Sequence, residues 1–128
     1  MNIQTIGTIL YWCEGSKRER DRRVEFVNSD SSMVLLFMKY LRTKNIDEKR
    51  LRARMMLHET DDESECKNYW RNITGINESC FLPSVIFTRG NGKHLNRLPH
   101  GTLTIRYNSL KLLREINTDI EKFKHMGL

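Results

Sequence analysis

The chain has 128 residues, 38% hydrophobic and 30% charged, which suits one soluble domain with a single modest core. Lysine and arginine total 22 against 16 acidic residues, and the resulting net charge of +6 favours an anionic partner, nucleic acid ahead of an acidic membrane surface. The three cysteines, Cys13, Cys66 and Cys80, include no C-x-x-C pair, which argues against a disulfide framework or a zinc knuckle.

The opening "MNIQTIGTILYW" has no basic leader, and its apolar run is too short to span a bilayer. No membrane partner is therefore expected, and a reducing, cytoplasmic location is. Ile3, Ile6, Leu10 and Cys13 follow helical spacing and predict a helix over 2–13, with Cys13 as a small core residue and Gly15 as its stop. Gly7, Tyr11 and Glu14 lie on a second stripe of that helix, where the glycine would admit the backbone of another helix. Glu14 and Gly15 are followed by Lys17, Arg18, Arg20, Arg22 and Arg23. A carboxylate beside such a run looks like a metal ligand held next to a polyanion. The plain alternative is a helix end followed by a solvated hairpin.

Val24 and Phe26 alternate with charged neighbours and mark a strand, with Lys17–Arg20 as a possible partner across a tight turn. "NSDSS" offers helix N-caps, and Val34, Phe37, Met38 and Leu41 keep strict helical spacing to about Lys44. "LRARMMLHE" is the clearest strand: Leu51, Ala53, Met55 and Leu57 point one way, Arg52, Arg54, Met56 and His58 the other. Thr60 and Glu63 read as a capping box, opening a helix with Cys66, Tyr69, Trp70 and Ile73 on its apolar face and Gly75 at its end. Residues 84–88 and 101–108 read as two strands joined by the basic, glycine-punctuated loop "RGNGKHLNRLPH". A last helix opens at Ser109 and buries Leu112, Leu113, Ile116, Ile120 and Phe123.

This order predicts an α+β fold, an antiparallel sheet with helices on one face. The open face would carry Arg52, Arg54, His58, Thr102, Thr104, Arg106 and Asn108. Arginine neutralises phosphate and binds guanine through two hydrogen bonds, and asparagine does the same for adenine. Any one-sided sheet shows a polar outer face. What favours nucleic acid is that two strands and two loops all present cationic or amide groups there: the run from Lys17 to Arg23, and Arg89, Lys93, His94 and Arg97 in the later loop.

At "IGTILYWCEGSK" the chain resembles the LAGLIDADG homing endonuclease family, in which two helices ending in an acid and a glycine pack side by side. It is closer to a divergent subgroup reading "YWxEGSK", then "F-x-NSD", then "HE" before a helix; here these are Tyr11–Lys17, Phe26–Asp30 and His58–Glu59. The likeness spans most of the chain, residues 1–128 as one domain. It implies the family's αββαββα half with one extra helix after the third strand. Trp12 stands at the motif's first acidic position, and Ile9 stands at its helix-packing glycine.

The resemblance implies a homodimer that cuts double-stranded DNA with Mg²⁺ or another divalent ion. Glu14 would ligate the metal with the Cys13 carbonyl, and Gly7, Leu10 and Tyr11 would line the dimer interface. Lys17, Lys93 or Arg106 would steady the scissile phosphate. A DNA-binding regulator or maturase that has lost cleavage, and an α+β protein-interaction domain, are the competing readings.

Overall fold

The computed structural model describes residues 2–88 and 98–126. Four helices and four strands run in the order α1 (Ile3–Glu14), β1 (Val24–Asn28), α2 (Ser31–Arg42), β2 (Leu51–His58), α3 (Glu63–Thr74), β3 (Val85–Phe87), β4 (Thr102–Tyr107) and α4 (Leu110–Met126). The α+β class expected from the sequence is the class observed.

The strands form one sheet in the order β1-β4-β2-β3. β4 is antiparallel to both neighbours, pairing Glu25 with Arg106 on one side and Arg52 with Arg106 on the other. β3 runs parallel to β2, so the sheet is mixed rather than antiparallel. Residues 84–88 and 101–108 therefore do not make a hairpin; β2 lies between them. Nor does Lys17–Arg20 pair with β1. Glu19–Asp21 is a 3-10 turn that leaves through Arg22 in the left-handed region at φ 57°.

Burial alternates along β2 and β4, with Leu51, Ala53, Met55, Leu57, Leu103, Ile105 and Tyr107 buried, so the helices cover one face. α2 buries the Val34, Phe37, Met38 and Leu41 stripe that the spacing predicts, and Tyr40 beside it. Phe37 stacks on Phe26 of β1 with ring centroids 4.2 Å apart and on Tyr11 of α1 at 5.8 Å, tying two helices to the sheet. The N-cap of α2 is Asp30, whose carboxylate accepts from the amides of Ser32 and Met33.

α3 starts two residues later than its expected capping box. Asp62 caps it by accepting from Glu65 N, and the Thr60 amide instead donates to His58 Nδ1 at 3.2 Å. α3 ends at Gly75 with φ 71°, in the left-handed conformation expected of a glycine stop. Trp70 is fully buried and donates its indole N–H to His100 O at 2.8 Å, while Tyr69 is half-buried. Burial pushes the Cys66 thiol up, with the nearby carboxylates of Asp61, Glu65 and Asp62 adding to the shift. α4 buries Leu112, Leu113, Ile116 and Ile120, with Phe123 half-buried. Among the described residues no helix is long and apolar enough to cross a membrane.

Candidate functional site

The end of α1 is fastened to the edge of the sheet. Gly15 donates its amide to Tyr11 O at 2.8 Å and bridges Phe26, and Ser16 N donates to Glu25 O at 2.9 Å. The Tyr11 hydroxyl completes the clasp, donating to Ser16 O and accepting from Glu25 N at 3.0 Å. Burial raises the Tyr11 pKa to about 12, so the phenol remains a donor at neutral pH. Gly15 is extended at φ −89°, not left-handed. It is required for space, since a Cβ there would lie 2.3 Å from the Tyr11 ring.

This clasp fixes the backbone beside Glu14. The Glu14 side chain is exposed and makes no hydrogen bond or ion pair among the described residues. A carboxylate at a helix C-terminus opposes the macrodipole, so the position gives it no local stabilisation. The cation nearest in sequence, Lys17, does not pair with it. The Lys17 ammonium donates to Trp12 O at 3.0 Å and Gly15 O at 2.7 Å, satisfying carbonyls that the helix leaves open. α4 holds the following segment: Asn117 donates to Lys17 O at 3.3 Å, and Arg114 pairs with Glu19 at 3.0 Å.

The outer face of the sheet carries the predicted polar residues, arranged in rows set by the register. One row runs Glu25, Arg106, Arg52; the next runs Val27, Thr104, Arg54; Thr102 then stands opposite Met56. Sequence reasoning missed Glu25. Its Oε1 accepts from Arg23 Nε at 2.9 Å and from Arg106 Nε at 3.1 Å, so two of the expected phosphate-binding cations share one carboxylate and the cluster keeps a single net positive charge. The alternation of β1 could have placed Glu25 on this face, but only the register brings it to Arg106.

Arg52 donates to the carbonyls of Lys49 and Leu51, both at 2.7 Å, and lies 3.6 Å from Cys80 Sγ. The Nε of Arg54 is buried without a hydrogen-bond partner among the described residues. His58 stands against Phe87, edge to face at 5.6 Å, and the β3 end of this face is apolar, with Met56, Val85 and Phe87 exposed. Asn108 is exposed just beyond β4, its carbonyl held by Arg50. In the early basic segment Arg18 pairs with Asp21 at 3.1 Å, while Arg20 and Arg22 are exposed with no ion pair among the described residues. Arg89, Lys93, His94 and Arg97 lie outside the described residues.

The stripe expected to meet a second helix is occupied within the chain. Gly7 is covered by Tyr40 of α2, where a Cβ would come 1.9 Å from the ring, and Tyr11 is fully buried. Leu10 is half-buried against the same core. The surface of α1 instead shows Ile9 and Trp12, 38% and 37% exposed, with Cys13 exposed next to them. Cys13 is thus not the core residue its spacing suggested, whereas Cys66 is.

Among the described residues no group of three or more His, Cys, Asp or Glu side chains is arranged to hold a metal ion. At the end of α1 one carboxylate, Glu14, stands without a partner among the described residues, beside helix-end carbonyls that already hold an ammonium. Carboxylate and carbonyl oxygens suit a hard divalent cation, which takes the rest of its shell from water and phosphate. The residues present fit part of such a site. The chain matches no family model, curated protein or solved structure.

Proposed function

We propose that the protein is a metal-dependent DNA endonuclease of LAGLIDADG type, acting as a homodimer in which each chain supplies one Glu14. The observation that carries this reading is the end of α1. The Glu14 carboxylate stands there without a partner among the described residues, on a backbone that the Tyr11 clasp ties to the edge of a sheet whose open face carries Arg52, Arg54 and Arg106. A divalent ion bound at Glu14 would activate water and stabilise the leaving oxygen of a phosphodiester.

The chain's own residues do the rest. Glu14 and the Cys13 carbonyl would be the ligands, Arg52 and Arg54 of the open face would contact phosphates, and Thr102 and Thr104 offer hydroxyls to base edges. Glu25 holds the Arg106 guanidinium in one orientation, which favours reading a base over loose phosphate contact. The exposed Ile9, Trp12 and Cys13 are the surface through which two first helices would meet, in place of Gly7 and Tyr11.

Incubation with a randomised duplex library and Mg²⁺, followed by sequencing of cut ends, tests the reading. Glu14→Gln should lower cleavage at least about a hundredfold while leaving salt-sensitive DNA binding in place. Cleavage that survives Glu14→Gln removes this residue from the chemistry. Binding without cleavage in the parent chain identifies a DNA-binding protein instead. No retention on duplex DNA at low salt points to a protein-interaction domain.

A further inference from the structure

The far edge of the sheet differs from the rest of its outer face. β3 is an edge strand of three residues, all apolar and all exposed: Val85 at 42%, Ile86 at 46% and Phe87 at 40%. Met56, opposite Val85 in the register, is 45% exposed beside them. Phe87 O accepts from Glu59 N at 3.0 Å, so the Phe87 backbone faces β2. Along a strand, successive residues turn their backbone groups to opposite sides. The N–H and C=O of Ile86 therefore point away from β2, where no described strand meets them. Exposed edges are usually blunted by a charge or a proline within the strand, and β3 has neither.

The charges stand at the two ends of β3 instead. Ser84, just before the strand, donates its hydroxyl to Glu63 at 2.7 Å. Glu59, just beyond β2, meets the other end through its amide bond to Phe87. Both side chains are exposed, and neither makes an ion pair among the described residues. Lys67, one turn along α3 from Glu63, lies over the Phe81 ring at 6.0 Å. The segment from Glu59 to Glu65 holds five of the chain's 16 acidic residues and no lysine or arginine, so this edge is acidic in a chain of net charge +6.

We propose that the β3 edge takes an extended, basic segment of another protein as an added strand. The backbone of that segment pairs with Ile86, its alternate apolar side chains cover Val85, Phe87 and Met56, and its flanking lysines or arginines meet Glu59 and Glu63. The charges select the occupant. A second copy paired antiparallel through β3 would bring Glu63 of one protomer to Glu59 of its partner, setting like charge against like. The phosphates of a duplex meet the same repulsion. The edge is thus a protein-binding surface apart from the arginines of the open face, and it does not depend on Glu14.

The test uses two capped, dye-labelled peptides of alternating valine and threonine, one flanked by lysines and the other by glutamates, titrated against the full chain. The lysine peptide should bind at least about tenfold more tightly at low salt, with the gap narrowing as salt is added. Glu59→Gln together with Glu63→Gln should close the gap. Ile86→Pro removes the outward amide while leaving the bonds to β2, and should weaken binding at least about fivefold, whereas Ile86→Val should retain it. A measurement on the parent chain guards against a disturbed strand: saturating lysine peptide should slow hydrogen exchange at the Ile86 amide. Absence of binding, equal binding of the two peptides, or binding that leaves Ile86 exchange unchanged overturns the proposal. Self-association in sedimentation that Ile86→Pro abolishes assigns the edge to a second copy and overturns it. Loss of duplex DNA binding in Ile86→Pro places the edge in the DNA surface, with the same result.

Discussion

α1 and α2 are each 12 residues long and pack against each other, yet they bury different kinds of side chain. α2 turns Val34, Phe37, Met38 and Leu41 inward, and its periodicity reads directly as burial. α1 buries Gly7, Thr8 and Tyr11 and leaves Ile9 and Trp12 facing outward. Thr8 survives burial because its hydroxyl donates to Gln4 O at 2.7 Å, and Tyr11 because it spends its hydroxyl on the clasp. A helix that hides polar and small residues while showing isoleucine and tryptophan is shaped by more than its own core. In α1 the inner face positions the Glu14 end, and the outer face remains open for another surface.

Three substitutions break or sharpen this contrast. The largest effect belongs to α2, where Phe37 is the ring that both Tyr11 and Phe26 lean on. Phe37→Ala should cost about 3–5 kcal/mol in denaturant unfolding, through lost burial and the cavity left behind. A loss near that of a surface substitution would mean that the aromatic stack does not join α1 to the sheet.

Next comes the clasp. Tyr11→Phe keeps the ring but strands the Ser16 carbonyl and the Glu25 amide, and should cost about 1–3 kcal/mol. The parent chain should also show a pH signature. Its Tyr11 pKa is raised from 10.0 unfolded to about 12 folded, so the folded state holds the proton more tightly. The stabilisation is complete below pH 10 and declines as pH rises through the interval to about 12, where the unfolded chain ionises first. Buried Tyr40, also raised, contributes in the same direction. Tyr11→Phe should flatten this decline in part; an unchanged slope would assign it elsewhere.

The smallest effect on stability is expected at the outer face of α1. Trp12→Ser should change unfolding of the single chain by no more than about 0.5 kcal/mol. It should weaken any self-association seen by sedimentation. A cost of several kcal/mol would show that Trp12 serves the chain's own core.

The same contrast explains how much the sequence disclosed. Regular apolar spacing predicted α2, β2, the buried side of β4 and most of α4, because those elements bury apolar side chains and little else. α1 misled the spacing argument, which assigned Cys13 to the core and Gly7 to a partner. Local chemistry was legible at Gly75, where residue type and position suffice for a left-handed helix stop. It was off by two residues at Asp62, because Thr60 turns back to His58. Strand order was not legible. The edge position of β3 beside β2, and Glu25 opposite Arg106, depend on pairings between residues distant in the chain. The family likeness supplied the role proposed for Glu14, while the clasp that steadies the adjoining backbone depends on Tyr11 meeting Glu25 across the fold.

The place of β4 has a consequence for how the molecule is made. β1 and β2 never touch as strands; each meets the other only through β4, and Phe26 finds Ile105 far along the chain. During synthesis, α1, α2 and α3 can coil as they emerge, but β1 waits without a ladder until residues 102–107 leave the ribosome. Such distant pairing slows folding and makes its completion abrupt. A chain interrupted before residue 102 would hold Glu14 at the end of a helix with no finished sheet to stand beside.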